Sequence, residues 1–207
     1  KEIINILCVN RDLMIRTFCL VSHNNLFTMA SSRLGGDILA TNAILFQIMS
    51  IFSYAFDGIA NTASVFSGRA RGRKNNTLMK NCWKQTFFWG IIATILITIV
   101  FVLFNRTIIE IFTKLPNILV LTQKYSIWLV LYPSIAFLGL TFYGVFTGAA
   151  KTVPIMTSTV LAFISFFIAW KFLIPIYGNN GVWLSLLVFY LGRGIFLIPQ
   201  LKKTLTN

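Results

Sequence analysis

The sequence predicts an all-α fold, a polytopic membrane protein whose six spans form one transmembrane helical bundle. Three observations carry that expectation. Residues of the types A, V, I, L, M, F, W, Y and C make up 57% of the chain, and its mean hydropathy is +0.78. Charged residues are only 11% of it, against about a quarter in soluble domains. The apolar residues also gather in runs of about 20, the length that crosses the hydrocarbon core of a bilayer. The lipid bilayer is therefore the first expected partner. The net charge of +13 does not argue for nucleic acid, because the aromatic side chains lie inside the apolar runs and no basic stripe carries exposed stacking residues. Cys8, Cys19 and Cys82 have no metal-ligand spacing and are expected to be free thiols. A lone His23 and the lack of a Gly-rich phosphate loop leave no hydrolytic or redox constellation, so neither an enzyme nor a cofactor is expected.

Taken in order, residues 1–12 read as a cytoplasmic loop entered from a longer protein. The first span covers 13–32, and Thr17, Asn24, Thr28 and Ser31 share one side of it at helical spacing. That side should pack inward, with Asn24 toward a cavity. His23 within this span has the composition of a packing histidine, although its type titrates near neutral pH. Arg33-Leu34-Gly35-Gly36-Asp37 then forms a tight link into a second span, 38–67, antiparallel to the first. The third span, 85–104, has Thr94 and Thr98 as its mid-span polar groups and should face lipid. Residues 105–124, broken by Pro116 and with Glu110 as their acid, suit a short interfacial helix. The fourth span, 125–149, carries Pro133, which predicts a kink between Ser126 and Pro133, and the small-residue pattern Gly144-x-x-x-Gly148. The fifth span, 153–174, opens at Pro154 and holds Lys171, whose stem can snorkel. A linker from Pro175 to Gly181 leads to the sixth span, 182–197, with Tyr190 and Arg193, and residues 200–207 form a cytoplasmic tail.

The second span is the chemically distinctive one. Asp57 lies well inside an apolar run, where an unpaired carboxylate among lipid tails costs roughly 2.5–3.5 kcal/mol even on insertion scales. At helical spacing Gln47, Ser50, Tyr54, Asp57, Asn61 and Ser64 fall within about 100° of one another. Such a seam belongs inside a bundle, lining a solvated cavity or bonding to neighbouring helices. Asp57 is the candidate ion- or proton-coupling group, and the bland alternative is a structural partner for Arg193 or for backbone groups. Gln47, Tyr54, Asn61 and Ser64 are candidate cavity-lining residues, with Tyr54 offering a π-face to a cation, against the alternative of interhelical hydrogen bonds. Arg193 either anchors the last span at the interface or faces Asp57.

Six spans alternate sides, and eleven basic residues, among them Arg69, Arg71, Arg73, Lys74, Lys80 and Lys84, fall on the side of the termini against four on the other, Arg33, Arg106, Lys114 and Lys124. The positive-inside rule puts both termini in the cytoplasm.

The segments RDLMIRT (Arg11–Thr17), SRLGGDILATNAILFQ (Ser32–Gln47) and DGIANTASVFSGRARG (Asp57–Gly72) resemble the second half of a multidrug and toxic compound extrusion (MATE) transporter of the DinF-like branch. The similarity extends, more weakly, to Trp183 and Leu191-Gly192-Arg193-Gly194. It implies one lobe of a twelve-helix protein in a bacterial inner membrane. An N-terminal lobe would be the partner, a proton or sodium ion the coupling ion, and a small organic cation the exported substrate. In that branch the usually emphasised acid lies on the first helix of the other half. Ser64 departs from the family pattern, which often has an acid or amide there, and Arg71 and Arg73 make the following loop more basic. A lipid-linked precursor flippase of related architecture, or a non-transporting fragment of a split gene, are the alternatives. The basic residues sit mostly in loops, which favours the drug exporter over the flippase.

Overall fold

The structure, a computed structural model, describes residues 2–200. They form seven helices and, among the described residues, no strand: α1 (Glu2–Arg33), α2 (Gly36–Gly72), α3 (Asn76–Phe112), α4 (Pro116–Tyr125), α5 (Ile127–Gly148), α6 (Val153–Tyr177) and α7 (Asn179–Ile195). Residues 201–207, most of the expected tail, lie outside this range.

The loop expected through residue 12 is instead the start of α1. No glycine or proline occurs before Gly35, so nothing in that stretch opposes helix propagation. The first break comes at Gly35, whose φ of +112° suits a residue without a side chain. Five helices, α2, α3, α5, α6 and α7, are long and apolar enough to cross a membrane. α1 has the length, but Arg11, Asp12, Arg16, His23, Asn24 and Asn25 dilute its hydropathy, and α4 has only 10 residues.

Phe104 (φ −114°, ψ 18°) is non-helical, so α3 is two helices meeting at a kink, and residues 105–112 form a short helix beyond it, in the first part of the segment 105–124 where one was expected. An exposed Arg106–Glu110 pair, 2.7 Å apart and one turn separated, lies within that short helix. Pro116 begins α4 at a position where its missing N–H costs nothing. Pro175 lies inside α6, and Gly178 alone (φ +54°) separates α6 from α7 where a longer linker was expected. Ser126, whose hydroxyl donates to the Gln123 carbonyl (2.8 Å), separates α4 from α5, and Pro133, where a kink was expected nearby, is buried within α5.

α2 is flanked by α5 and α3, α7 packs on α6 and α5, and α1 lies against α6. The Gly144-x-x-x-Gly148 pattern does what its chemistry permits. A side-chain carbon built at Gly144 would collide with the Ala60 carbonyl, and one at Gly148 with the Ser64 carbonyl. α5 therefore touches the backbone of α2, the close approach by which small residues generate van der Waals attraction between helices in lipid. Leu45, Met49, Phe56, Phe101, Tyr132, Trp183 and Phe189 form the main packed core, and Ala63, Trp83, Phe142, Phe146 and Ile155 a second one nearer the end of α2.

Replacing Gly148 by leucine should force α2 and α5 apart and cost at least about 1–3 kcal/mol, read as a large fall in the unfolding temperature of the detergent-purified protein. Gly58→Ala, which adds a carbon into open space, should leave that temperature nearly unchanged.

Candidate functional site

The polar seam of α2 divides along its length. Ser50, Asp57 and Ser64 form its inward edge and are half-buried, while Gln47, Tyr54 and Asn61 form the outward edge and are exposed, Tyr54 by 69%. Asp57 accepts a hydrogen bond at Oδ1 from the Tyr143 hydroxyl of α5, 3.0 Å away. Ser53, one turn before it, is hydrogen-bonded to the buried Tyr132 hydroxyl of α5 at 2.7 Å. Ser64 contributes its carbonyl to the contact with Gly148. Asn24 on α1 is half-buried, with its carbonyl oxygen shielded and without a hydrogen-bond partner.

Two guanidinium groups lie in the same interior. Arg16 of α1 stands over the Tyr143 ring, 4.7 Å from its centroid, with Nε buried and unpartnered. It is within electrostatic reach of Arg193, Tyr143 and Asp57. Arg193 of α7 is only 4% exposed, so it does not snorkel to the interface as an anchor would. Its guanidinium lies 5.9 Å from the centroids of both Phe189 and Tyr190. Room for its stem comes from Gly139, where an added carbon would sit 2.9 Å from the Arg193 Cβ. Tyr190 meets Tyr132 edge-on at 4.9 Å, and His23 stacks on Phe189 at 4.1 Å. The direct ion pair between Asp57 and Arg193 is not formed. Among the described residues the pairs within 4.0 Å are Arg11–Asp12 and Arg106–Glu110, both elsewhere.

The depth of this cluster follows from helix geometry. The ends at Arg33, Gly36 and Asn179 lie on one side of the bundle, since Asn42 and Asn179 are hydrogen-bonded there. Measured along their helices, Arg16, Asp57, Tyr143 and Arg193 lie about 21–31 Å below that side. Arg16, Tyr143 and Tyr132 were not singled out from sequence. Arg16 had a usable signal, being an ionisable residue inside a predicted span; the tyrosines had none, because nothing local tells a buried hydroxyl from a packing ring.

The family model MatE matches residues 13–173. The chain belongs to the MatE family. It is 31% identical over 202 residues to DNA damage-inducible protein F of Escherichia coli (strain K12), which covers 98% of this chain and 44% of that protein. Two solved structures share its fold. One is a MATE protein in a bent conformation, at TM-score 0.79 and 16% identity, covering 93% of this chain and 44% of that one. The other is a MOP superfamily transporter from Pyrococcus furiosus Vc1 (DSM3638), whose binding pocket is described as reversed in polarity, suggesting a different function for that protein. It aligns at TM-score 0.79 and 18% identity over 95% of this chain and 44% of its own. The chain thus spans somewhat under half the length of the relatives it matches.

In this MatE-family chain two further polar clusters fix the ends of the bundle. At one end the Asn42 amide donates to Ser31 Oγ (2.8 Å) and Asn179 Oδ1 (2.6 Å), and its oxygen accepts from Asn179 (3.1 Å) and from Trp183 Nε1 (2.9 Å). One side chain thereby ties α1, α2 and α7. At the other, buried Asp12 accepts from Thr152 Oγ1 (2.8 Å), which joins α1 to the start of α6, and pairs with Arg11 at 2.9 Å. A groove of about 590 Å³ runs between α2 and α3, lined by Ile59, Phe66, Leu78, Gln85 and Trp89 among others, and Asp57 is not part of it.

Asn42→Ala should leave Ser31, Asn179 and Trp183 without their partner and cost about 1–3 kcal/mol per stranded group at most, measured as a lowered unfolding temperature with transport reduced only in step with the amount of folded protein.

Proposed function

We propose that the chain is one lobe of an ion-coupled exporter of organic cations that works by alternating access in a bacterial plasma membrane. The observation that carries this reading is the division of the α2 seam. Asp57 faces the lobe interior, while Tyr54 and Asn61, about one turn away on the same helix, and Gln47, almost three turns away, face out of it. A charge change at Asp57 can therefore bias the packing of α2 against α5 and so alter the presentation of the outer face, which is the differential interaction that a population shift requires. An exposed amide-rich face on a membrane helix belongs against water or protein, not lipid. Here an N-terminal lobe covers it, with the substrate path between the two lobes. Tyr54 supplies a ring to a passing cation. The cationic interior around Arg16 and Arg193 keeps that cation on the outer face.

The coupling ion is a proton in this reading. A sodium ion needs several oxygen ligands, whereas Asp57 has one protein partner, Tyr143, and two guanidinium groups nearby that repel a metal cation. The basic bias of the loops supports an orientation with both termini in the cytoplasm. A second reading, transport of an anionic headgroup as in a lipid-linked precursor flippase, draws support from one observation. Arg16 lies on α1 and Arg193 on α7, on helices and not in loops, which weakens the ground on which sequence favoured the drug exporter.

Ethidium efflux from cells carrying the complete reading frame tests the proposal. Asp57→Asn should insert normally and lose efflux, Tyr143→Phe should keep a reduced rate, and collapse of the proton gradient should stop export while removal of sodium should not. Full efflux by Asp57→Asn would refute the role given to that carboxylate.

A further inference from the structure

We infer that the groove between α2 and α3 binds one anionic phospholipid, its phosphate held near the α2–α3 turn by Arg69 and Arg73 and an acyl chain lying between the two helices. The inference depends neither on the solute that the complete protein carries nor on which way the chain faces across the membrane. It starts from charge. Residues 68–84 hold Arg69, Arg71, Arg73, Lys74, Lys80 and Lys84 and no acid. Among the described residues no carboxylate pairs with any of the six. An uncompensated basic cluster at the end of a membrane-crossing hairpin is the complement of an anionic headgroup.

Charge alone attracts a lipid surface without holding any one lipid; the groove supplies the place. Its volume of about 590 Å³ is that of a small-molecule site. Measured along the helices from the turn at Arg73–Asn75, its walls run from about 5 Å at Leu78 to about 27 Å at Ala55. That reach exceeds the roughly 15 Å of hydrocarbon in one leaflet. The wall chemistry changes along the way. Nearer the turn stand the exposed amides of Asn81 and Gln85, whereas Ala55, Ile59 and Trp89 make the deep end apolar. This is the order of headgroup, ester and chain in a phospholipid. Arg69 belongs to the same wall, because its guanidinium lies over the ring of groove-lining Phe66, 5.8 Å from the centroid. Thr62, Phe66, Arg69 and Arg73 follow at spacings of three and four, one stripe along α2 that ends in two cations. A planar guanidinium meets a phosphate with two parallel N–H donors. A second lobe laid against Gln47, Tyr54 and Asn61 meets a side of α2 about 110° away from the groove residues, and so leaves the groove to lipid.

Thermal unfolding of the complete protein in mild detergent, followed by tryptophan fluorescence, tests the inference with three additions: dioleoyl phosphatidylglycerol, dioleoyl phosphatidylcholine and glycerol 3-phosphate. Phosphatidylglycerol should raise the midpoint by several degrees over phosphatidylcholine in a saturable way, and glycerol 3-phosphate should leave it unchanged. Arg69→Gln combined with Arg73→Gln should remove most of that gap. So should Thr62→Trp, which fills the groove without changing the charge. Arg71→Gln combined with Lys80→Gln removes as much charge from the sides of α2 and α3 turned away from the groove, and should keep the gap. All five residues are exposed, so the variants should fold. Equal midpoints in the two lipids would overturn the site. So would an equal loss from the two charge pairs, which would mean diffuse attraction, or a gap undiminished in Thr62→Trp. A rise with glycerol 3-phosphate as large as that with lipid would refute the part given to the acyl chain.

Discussion

A charge drawn partly or wholly out of water has to be met inside the bundle, and the arrangement of α1, α2, α5 and α7 is organised around that requirement. Asp57 is met by a tyrosine hydroxyl from α5, Arg16 by the face of the same tyrosine, and Arg193 by two rings of its own helix. Those contacts need the helices close together. Gly144 and Gly148 bring α5 onto the backbone of α2, and Gly139 opens the space through which the Arg193 stem enters. The glycines and the charges are therefore one design: remove the close approach and the polar groups lose their partners; remove the partners and the close approach encloses bare charge.

The same logic separates two surfaces on one helix. Of the seam of α2, the inward edge is half-buried, with Asp57 bonded to α5, and the outward edge is exposed. The buried network centred on Asn42 pins α2 to α1 and α7 at one end of the bundle, while Asp12 and Thr152 tie α1 to α6 at the opposite end. These ties leave the middle of α2, with Asp57, as the segment whose packing rests on interactions that a change of charge can alter.

Much of this could be read from residue types and spacing. The length and apolarity of the runs and the glycine pair pointed to features that the fold contains, because each reflects a local rule about lipid or close packing. The division of the polar seam could not be read. Gln47, Tyr54 and Asn61 differ from Ser50, Asp57 and Ser64 by only a few tens of degrees around the helix, and which edge faces inward depends on where α3 and α5 settle. Asn42 was hidden for a similar reason, since an amide in a span bonds to whichever helix arrives beside it. Helix ends were missed where no breaker exists, as at the start of α1, and where proline sits within a terminal turn without ending it, as Pro175 does in α6.

The central claim is that Asp57 and Arg193 share one electrostatic environment inside the lobe although they form no direct ion pair. A double-mutant cycle on unfolding free energy, built from Asp57→Asn, Arg193→Gln and the pair of them, measures it directly. Coupling predicts that the two substitutions together cost less than their sum by more than about 0.5 kcal/mol, because removing both charges leaves neither stranded. Additive costs would contradict the claim and would mean that the carboxylate and the guanidinium do not sense each other.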